Sequence, residues 1–452
     1  MSHYKPYPAY RDSGVEWIGR VPEHWARASI KHILAAPITD GPHETPVFIN
    51  EGVEFLSVDG IQDGELVFEG KRFISQEDHA RFCKKAKPQL NDVLVGKSAS
   101  VGKVARVKTS NDFNVWSPLA ILRSDSTKCD PSYLEFALKA DTAQQQILLA
   151  GNTSTQANIG MDRLASVGIP LPPISEQHQL TKVVEQETTR IDALIAKKTR
   201  FIELLKEKRQ ALITHAVTKG LNPDARMQDS GVEWLGKIPI HWLVAQLGKV
   251  SIARCDGPFG SGLKSEHYQA DGVRVVRLQN IGWASFKDGN EAFISHQHWQ
   301  DVLGCGHEVL PNDVLIGGLG DDKNPLGRAC VAPANLGPAM VKADCYRFRL
   351  NTSRANPDFI ALALSATARA ECGYLATGAT RDRLNLGLAS ARVVPLPPLN
   401  EQTEIVSSLN RDTARIDRLT EKTQRSIDLL KERRAAFITA AVTGQIDLRE
   451  SA

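Results

Sequence analysis

The chain has 452 residues, of which 42% are hydrophobic and 24% charged, with a formal net charge of +3. That length exceeds the roughly 250 to 300 residues at which a single core stops growing, so two or more domains are expected, and the charge is too mild to identify a nucleic-acid partner unaided. No run approaches the ~18 apolar residues of a membrane span, and the polar start Met1-Ser2-His3-Tyr4-Lys5-Pro6 lacks the apolar segment of a secretory signal, so a cytoplasmic protein with no membrane partner is expected.

Residues 1–25 form a segment that is met again. Asp12-Ser13-Gly14-Val15-Glu16-Trp17-Ile18-Gly19 recurs as Asp229-Ser230-Gly231-Val232-Glu233-Trp234-Leu235-Gly236, and Pro22, His24 and Trp25 recur as Pro239, His241 and Trp242, all at an offset of 217. Residues 26–168 then read as a mixed α/β domain. Val53 to Ile61, Asp92 to Val95 and Val104 to Val107 are short, β-branched-rich runs bounded by Gly, Asn or Asp, which predicts strands. Pro131 to Leu149 predicts a helix, with proline at the first helical position behind Asp130. From Lys71 to Lys108 ten Lys or Arg face three acids, a local excess able to attract phosphate. The seven cysteines, Cys83, Cys129, Cys255, Cys305, Cys330, Cys345 and Cys372, are never spaced as Cys-x-x-Cys and read as buried reduced thiols.

Residues 169–220 hold the clearest helix. Ser175 behind Pro172-Pro173 is a suitable N-cap, Glu176 favours the positive end of the dipole, and Gly220 is placed to end the helix. A heptad runs through Leu180, Val184, Ile191, Leu194, Phe201, Leu205 and Leu212, with Glu187, Lys198 and Lys208 interrupting the seam. Residues 221–242 repeat the opening segment, and 243–393 form a second α/β domain with a helix over Pro357 to Ala370. Residues 394–444 repeat the long helix at an offset of 225, from the Asn400 cap through Ile405, Leu409, Ile416, Leu419, Leu430 and Phe437 to Gly444, with Asp412, Thr423, Ser426 and Arg433 in the seam. Residues 445–452 are a short tail. Some 43 helical residues at ~1.5 Å each make a rod of roughly 65 Å, far longer than the helix of an ordinary core.

The two halves therefore share their frames and differ in their contents. Only weak echoes survive between the frames: Gly41-Pro42 and Gly257-Pro258, Asn91-Asp92-Val93-Leu94 and Asn312-Asp313-Val314-Leu315, Gly102-Lys103-Val104-Ala105 and Gly327-Arg328-Ala329-Cys330. The expected fold is α+β: two α/β domains separated by two long antiparallel, coiled-coil-like helices, with an internal pseudo-two-fold repeat.

This order resembles the specificity subunits of Type I restriction-modification enzymes. The most specific element is the doubled Ile169-Pro170-Leu171-Pro172-Pro173-Ile174-Ser175-Glu176-Gln177 and Val394-Pro395-Leu396-Pro397-Pro398-Leu399-Asn400-Glu401-Gln402. Thr155-Gln156 and Leu164 look like the family's exit from a target recognition domain, whereas Thr380-Arg381 and Ala389 depart from it. The resemblance implies a non-catalytic subunit whose target recognition domains, 26–168 and 243–393, each read one half of a bipartite site in double-stranded DNA. The helices would set the spacing and dock two methyltransferase subunits, which restriction and translocase subunits join. It implies no cofactor on this chain, S-adenosylmethionine on the methyltransferase partner, and ATP and Mg on the restriction partner. Candidate DNA contacts are Lys97, Lys103 and Arg106 on glycine-bordered turns, Gln156 and Asn158, suited to bidentate contact with adenine, and Lys323, Arg328, Arg381 and Arg383 in the second half.

Catalytic readings are weaker. Asn356-Pro357-Asp358-Phe359 lacks the second proline of an adenine-methyltransferase motif, and a helix start explains it. Gly96-Lys97-Ser98 lacks the first glycine of a phosphate loop, where Asn91 stands, and Gly317-Gly318-Leu319-Gly320 reads as a loop. His296, His298, Cys305 and His307 fit no familiar zinc spacing, so no metal is expected. The alternative is a bifunctional DNA methyltransferase/endonuclease with built-in recognition domains, for whose catalytic domain the two repeats leave no room.

Overall fold

The computed structural model describes residues 4–151, 158–259, 262–303, 306–321, 323–375 and 383–449. It comprises two compact units, Met1–Thr199 with Gln424–Ala452, and Arg200–Thr423.

In the first unit the repeated Asp-Ser-Gly segment is a hairpin of Tyr10–Asp12 against Arg20–Pro22. Gly14 and Gly19 take φ of +70° and +66°, and Asp12 Oδ1 accepts the Gly14 N–H at 2.8 Å. Left-handed backbone at both positions explains why glycine stands there in both copies. The second unit repeats the hairpin as Met227–Asp229 against Lys237–Pro239.

Each α/β domain is closed at its neck by pairing its entry with its exit: Ala26–Ser29 lies antiparallel to Gly168–Leu171, and Leu243–Gln246 to Val393–Leu396. Inside the first domain an antiparallel sheet runs in the order Val104–Arg106, Val93–Gly96, Leu119–Leu122, Thr39–Asp40. A second sheet places Phe113–Val115 parallel to Val53–Leu56, which pairs antiparallel with Arg72–Ile74. Val93, Leu94 and Val95 are all fully buried because both faces of their strand are covered. Val93 and Val95 face a helical layer containing Tyr133, Leu134 and Phe136, while Leu94 faces Leu56, Phe113 and Val115 of the second sheet. The second domain repeats this, with Val314 and Ile316 toward Phe359 and Ile360, and Leu315 toward Val276, Ala339 and Val341. The expected strands at Asp92 to Val95 and Val104 to Val107 are present, whereas the run Val53 to Ile61 is one strand only over Val53–Leu56, after which Val58–Gly60 turns as a 3-10 helix before the short strand Ile61–Gln62.

The helix expected over Pro131 to Leu149 is two helices, Pro131–Lys139 and Asp141–Ala150, broken where Ala140 takes an extended conformation (φ −68°, ψ 147°). Pro357–Leu375 is unbroken, and Asn356 Oδ1 accepts the Phe359 N–H, which explains the Asn-Pro pair as a helix start.

The long helices are Ile174–Lys219 and Leu399–Val442, of 46 and 44 residues. Each begins one residue before the expected cap, since the Pro173 carbonyl already accepts from Glu176 and Gln177, and the Pro398 carbonyl from Gln402. Both end at glycines with positive φ, Gly220 (+79°) and Gly444 (+70°). Within each unit the helix segments pack antiparallel: Arg434 Nε lies 3.0 Å from Asp192 Oδ1 in the first, and Arg209 Nε lies 3.3 Å from Asp417 Oδ1 in the second.

The seam register differs from the expected one. Leu180, Val184, Ile191, Leu205, Ile405, Leu409, Ile416 and Phe437 are buried and Leu212 and Leu430 half-buried, but Leu194, Phe201 and Leu419 are 41%, 45% and 40% exposed. The second row of the first helix is Thr188, Ile195, Ile202, Arg209 and Ala216, one residue beyond Glu187, Leu194, Phe201 and Lys208. In the second helix it is Thr413, Thr420, Ile427, Arg434 and Ala441, one beyond Asp412, Leu419, Ser426 and Arg433. A heptad can be stepped three-then-four or four-then-three from the same first row. Larger Leu and Phe side chains favour one reading on hydrophobicity, and packing selects the other.

Candidate nucleic-acid interface

The shared frame is an internal scaffold. Glu176, at the start of the first long helix, accepts the Tyr7 hydroxyl at 2.6 Å and the Trp25 indole N–H at 3.1 Å, and its other oxygen lies 2.8 Å from His24 Nε2. Gln177 accepts the Asp130 N–H at 2.9 Å and donates to the Lys128 and Pro172 carbonyls. Glu401 and Gln402 repeat this with Trp242, His241, Asn356, Arg354 and Pro397. The Glu-Gln pair thus ties the opening segment and the helical layer of the domain to the root of the long helix.

Held on that scaffold, the divergent domains present one loop constellation in two versions. A turn following the first strand of the sheet carries Asp40-Gly41-Pro42 in one and Asp256-Gly257-Pro258 in the other. A Cβ on Gly41 would stand 1.7 Å from the Val115 carbonyl oxygen, and one on Gly257 would stand 2.1 Å from Lys342 C, so only glycine fits either approach. Beside it lies the residue just beyond the strand, bonded to the returning chain: Ile159 N–H donates to the Lys97 carbonyl at 2.8 Å, and Leu384 N–H to the Gly318 carbonyl at 3.0 Å. Matching bridges join Ser98 to Asn158 and Leu319 to Arg383. Asn158 and Arg383 therefore occupy one structural position.

The side chains around this scaffold differ. In the first domain the buried Asp40 carboxylate holds Lys85 at 2.7 Å and Lys97 at 3.0 Å. Burial pushes its pKa up, but hydrogen bonds from the two ammonium groups outweigh that and hold it below the usual range. In the second domain Gly318 stands where Lys97 would be. Asp256 accepts the Gly257 and Asp344 backbone N–H groups, and burial raises its pKa to about 6.

Three comparisons bear on this architecture. A family model described as the Type I restriction modification DNA specificity domain matches residues 48–204. The putative Type I restriction enzyme MjaX specificity subunit of Methanocaldococcus jannaschii is 25% identical over 449 residues, covering 96% of each chain. The chain is similar to Type I restriction-modification specificity subunits along nearly its whole length. The StySPI specificity subunit of Salmonella potsdam is 22% identical, over 95% of this chain and 90% of that one. A chain from a structural study of complex assembly and conformational transition of the type I R-M system shares the fold, with a TM-score of 0.67 at 16% identity, over 93% of this chain and 98% of that one.

The remaining candidate contacts are dispersed. Lys103 donates to the Ile61 carbonyl at 2.9 Å. Arg106 pairs with Glu135 and Glu185 at 3.1 and 3.0 Å, away from the loops. Arg328 is 4% exposed, and its guanidinium donates to the Ile281, Leu319, Pro325 and Leu278 carbonyls, an internal brace whose pKa burial lowers. Lys323 is exposed and, with Lys206, Arg209 and Arg369, borders a cleft of about 260 Å³ against Trp283. Gln156 and Arg381 lie outside the described residues.

The basic run from Lys71 to Lys108 is largely offset by acids from elsewhere: Lys71 meets Asp59, Arg81 meets Glu44, Lys87 meets Asp112 and Lys108 meets Glu65. His298 Nε2 lies 2.8 Å from the Gly262 carbonyl and His307 Nδ1 2.6 Å from the Asp256 carbonyl, while Cys305 is outside the described residues. Among the described residues no three His, Cys, Asp or Glu are grouped as a metal site, and no helix is long and apolar enough to cross a membrane.

Proposed function

We propose that this specificity subunit reads a bipartite site in double-stranded DNA, each of its domains, 26–168 and 243–393, contacting one half-site through the loops around Asp40-Gly41-Pro42 and Asp256-Gly257-Pro258. The observation that carries this reading is the matched scaffold with unlike side chains: Lys97, Asn158 and His43 in one copy, Gly318, Arg383 and Phe259 in the other. A reader of two different sequences needs equal backbones and unequal surfaces.

The chain performs no chemistry itself and directs adenine methylation and restriction by its partners in the cytoplasm. S-adenosylmethionine belongs to the methyltransferase subunits, and ATP and Mg to the restriction subunit. The exposed residues of the long helices support docking of the same partner twice: Leu194 and Leu419, and Leu204 and Leu429, are pairs at the repeat offset, all at least 40% exposed. Lys323, Arg369 and Lys206 around Trp283 supply positive charge for a phosphate backbone. The test is to map methylated adenines in a host carrying or lacking this gene together with its methyltransferase. A split motif should disappear with the gene, and methylation independent of it would end the proposal.

A further inference from the structure

We propose that Arg383 reads a guanine in the second half-site, and that the position shared by Asn158 and Arg383 is a specificity-determining position of both readers. The inference rests on the DNA-reading function proposed above and deepens it.

Three observations carry it. First, the backbone beside Arg383 is clamped while its side chain is 49% exposed: the Leu384 N–H donates to the Gly318 carbonyl at 3.0 Å, the Leu384 carbonyl accepts the Tyr346 hydroxyl, and Leu384 itself is fully buried. Second, the guanidinium is held in one orientation. Asp344 Oδ1 lies 2.9 Å from its Nε and 2.8 Å from its Nη2, and its Cζ sits 5.6 Å from the ring centroid of Phe259, an aromatic 55% exposed beside the Asp256-Gly257-Pro258 turn. A guanidinium has five N–H donors, and that carboxylate contact uses the Nε side. The Nη1 and Nη2 hydrogens at the far edge form the fork that matches guanine O6 and N7. Holding the long side chain in place beforehand lowers the entropy lost on contact.

Third, the first reader carries Asn158 at the same place, bridged to Ser98 as Arg383 is to Leu319. Asparagine pairs with adenine N6 and N7 as arginine does with guanine, so one scaffold position changes its base with its residue.

The test uses the complex of this chain with its methyltransferase subunits, comparing wild type with Arg383→Ala, Arg383→Lys and Asp344→Asn by mapping the methylated motif. Wild type should show a guanine in the second half-site, and Arg383→Ala should relax that position alone. Arg383→Lys keeps the charge but loses the fork and should also relax it, whereas a role limited to charge would be rescued. Asp344→Asn should relax it partly. In parallel, replacing that guanine by 7-deazaguanine in a duplex should weaken binding by the wild-type complex roughly 5- to 150-fold and leave binding by Arg383→Ala unchanged. This measurement decides the case if the variants do not fold. A second half-site without guanine, an unchanged motif in Arg383→Ala, or equal binding of the substituted duplex would overturn the inference while leaving the split-site function standing. No gene-dependent split motif would remove the underlying function instead.

Discussion

Glu176 Oε1 accepts the indole N–H of Trp25 at 3.1 Å, and Glu401 Oε1 accepts that of Trp242 at the same distance. A bond repeated 225 residues later on the helix and 217 later on the hairpin accounts for the most specific part of the duplicated sequence by internal structure. In the first unit Glu176→Ala would strand two buried donors, Tyr7 Oη and Trp25 Nε1, at a cost of roughly 2 to 5 kcal/mol. Trp25→Phe, which removes one donor, should cost less. Denaturant unfolding of the two variants should show that order, and equal stability of Glu176→Ala and wild type would refute the structural role of the frame.

The helix register makes a sharper pair. Ile202 is 8% exposed and its neighbour Phe201 is 45% exposed. Ile202→Ala should destabilise by about 2 to 4 kcal/mol, as core truncations do, while Phe201→Ala should cost less than about 1 kcal/mol despite losing the larger side chain. The reverse order in thermal melts would restore the register read from hydrophobicity alone.

Asp256 carries a pH dependence. Burial raises its folded-state pKa to about 6, above the ~3.9 of an unfolded aspartate, so folding takes up a proton between these values. Its contribution is therefore least favourable above pH 6. Asp256→Asn retains an oxygen for the Gly257 and Asp344 N–H groups and removes the charge. The variant should be more stable than wild type at pH 7.5, and the gap should close as pH falls from about 6 to about 4. A gap that is constant across that range would show that the charge is not the cause.

Replacing residues 26–168 by the matching domain of a relative should change one half-site and spare the other, because the antiparallel neck of Ala26–Ser29 with Gly168–Leu171 closes the domain on itself. Motif mapping of the hybrid complex reads this directly. Altered recognition of both half-sites would contradict independent readers.

A buried pair in the second unit tests the neck from inside. Arg392 Nε lies 2.8 Å from Glu371 Oε2, with the two side chains 0% and 3% exposed, and Glu371 Oε1 accepts the Val393 N–H. Glu371→Ala leaves the guanidinium unpaired and should cost roughly 3 to 5 kcal/mol, and the double change Glu371→Leu with Arg392→Met should cost less. Equal losses in urea unfolding would show that the charges contribute nothing beyond volume.

The amino-acid sequence alone determined the duplication, the frames, two of the three strand runs and the existence, closing glycines and first row of the two long helices. These depend on local rules, such as glycine at positive φ, proline at helix starts and a heptad of apolar residues, which survive in one dimension. Tertiary structure decided what depends on partners distant in the chain. It chose Ile202 over Phe201, because both satisfy a heptad and only packing distinguishes them. It offset the basic run with Asp59, Asp112 and Glu65, acids that no local charge count relates to their lysines, and it turned Arg328 inward onto carbonyl oxygens. Above all it aligned Asn158 with Arg383: their surroundings have diverged, and only the hydrogen bonds from Ile159 and Leu384 to the strand ends mark them as one position.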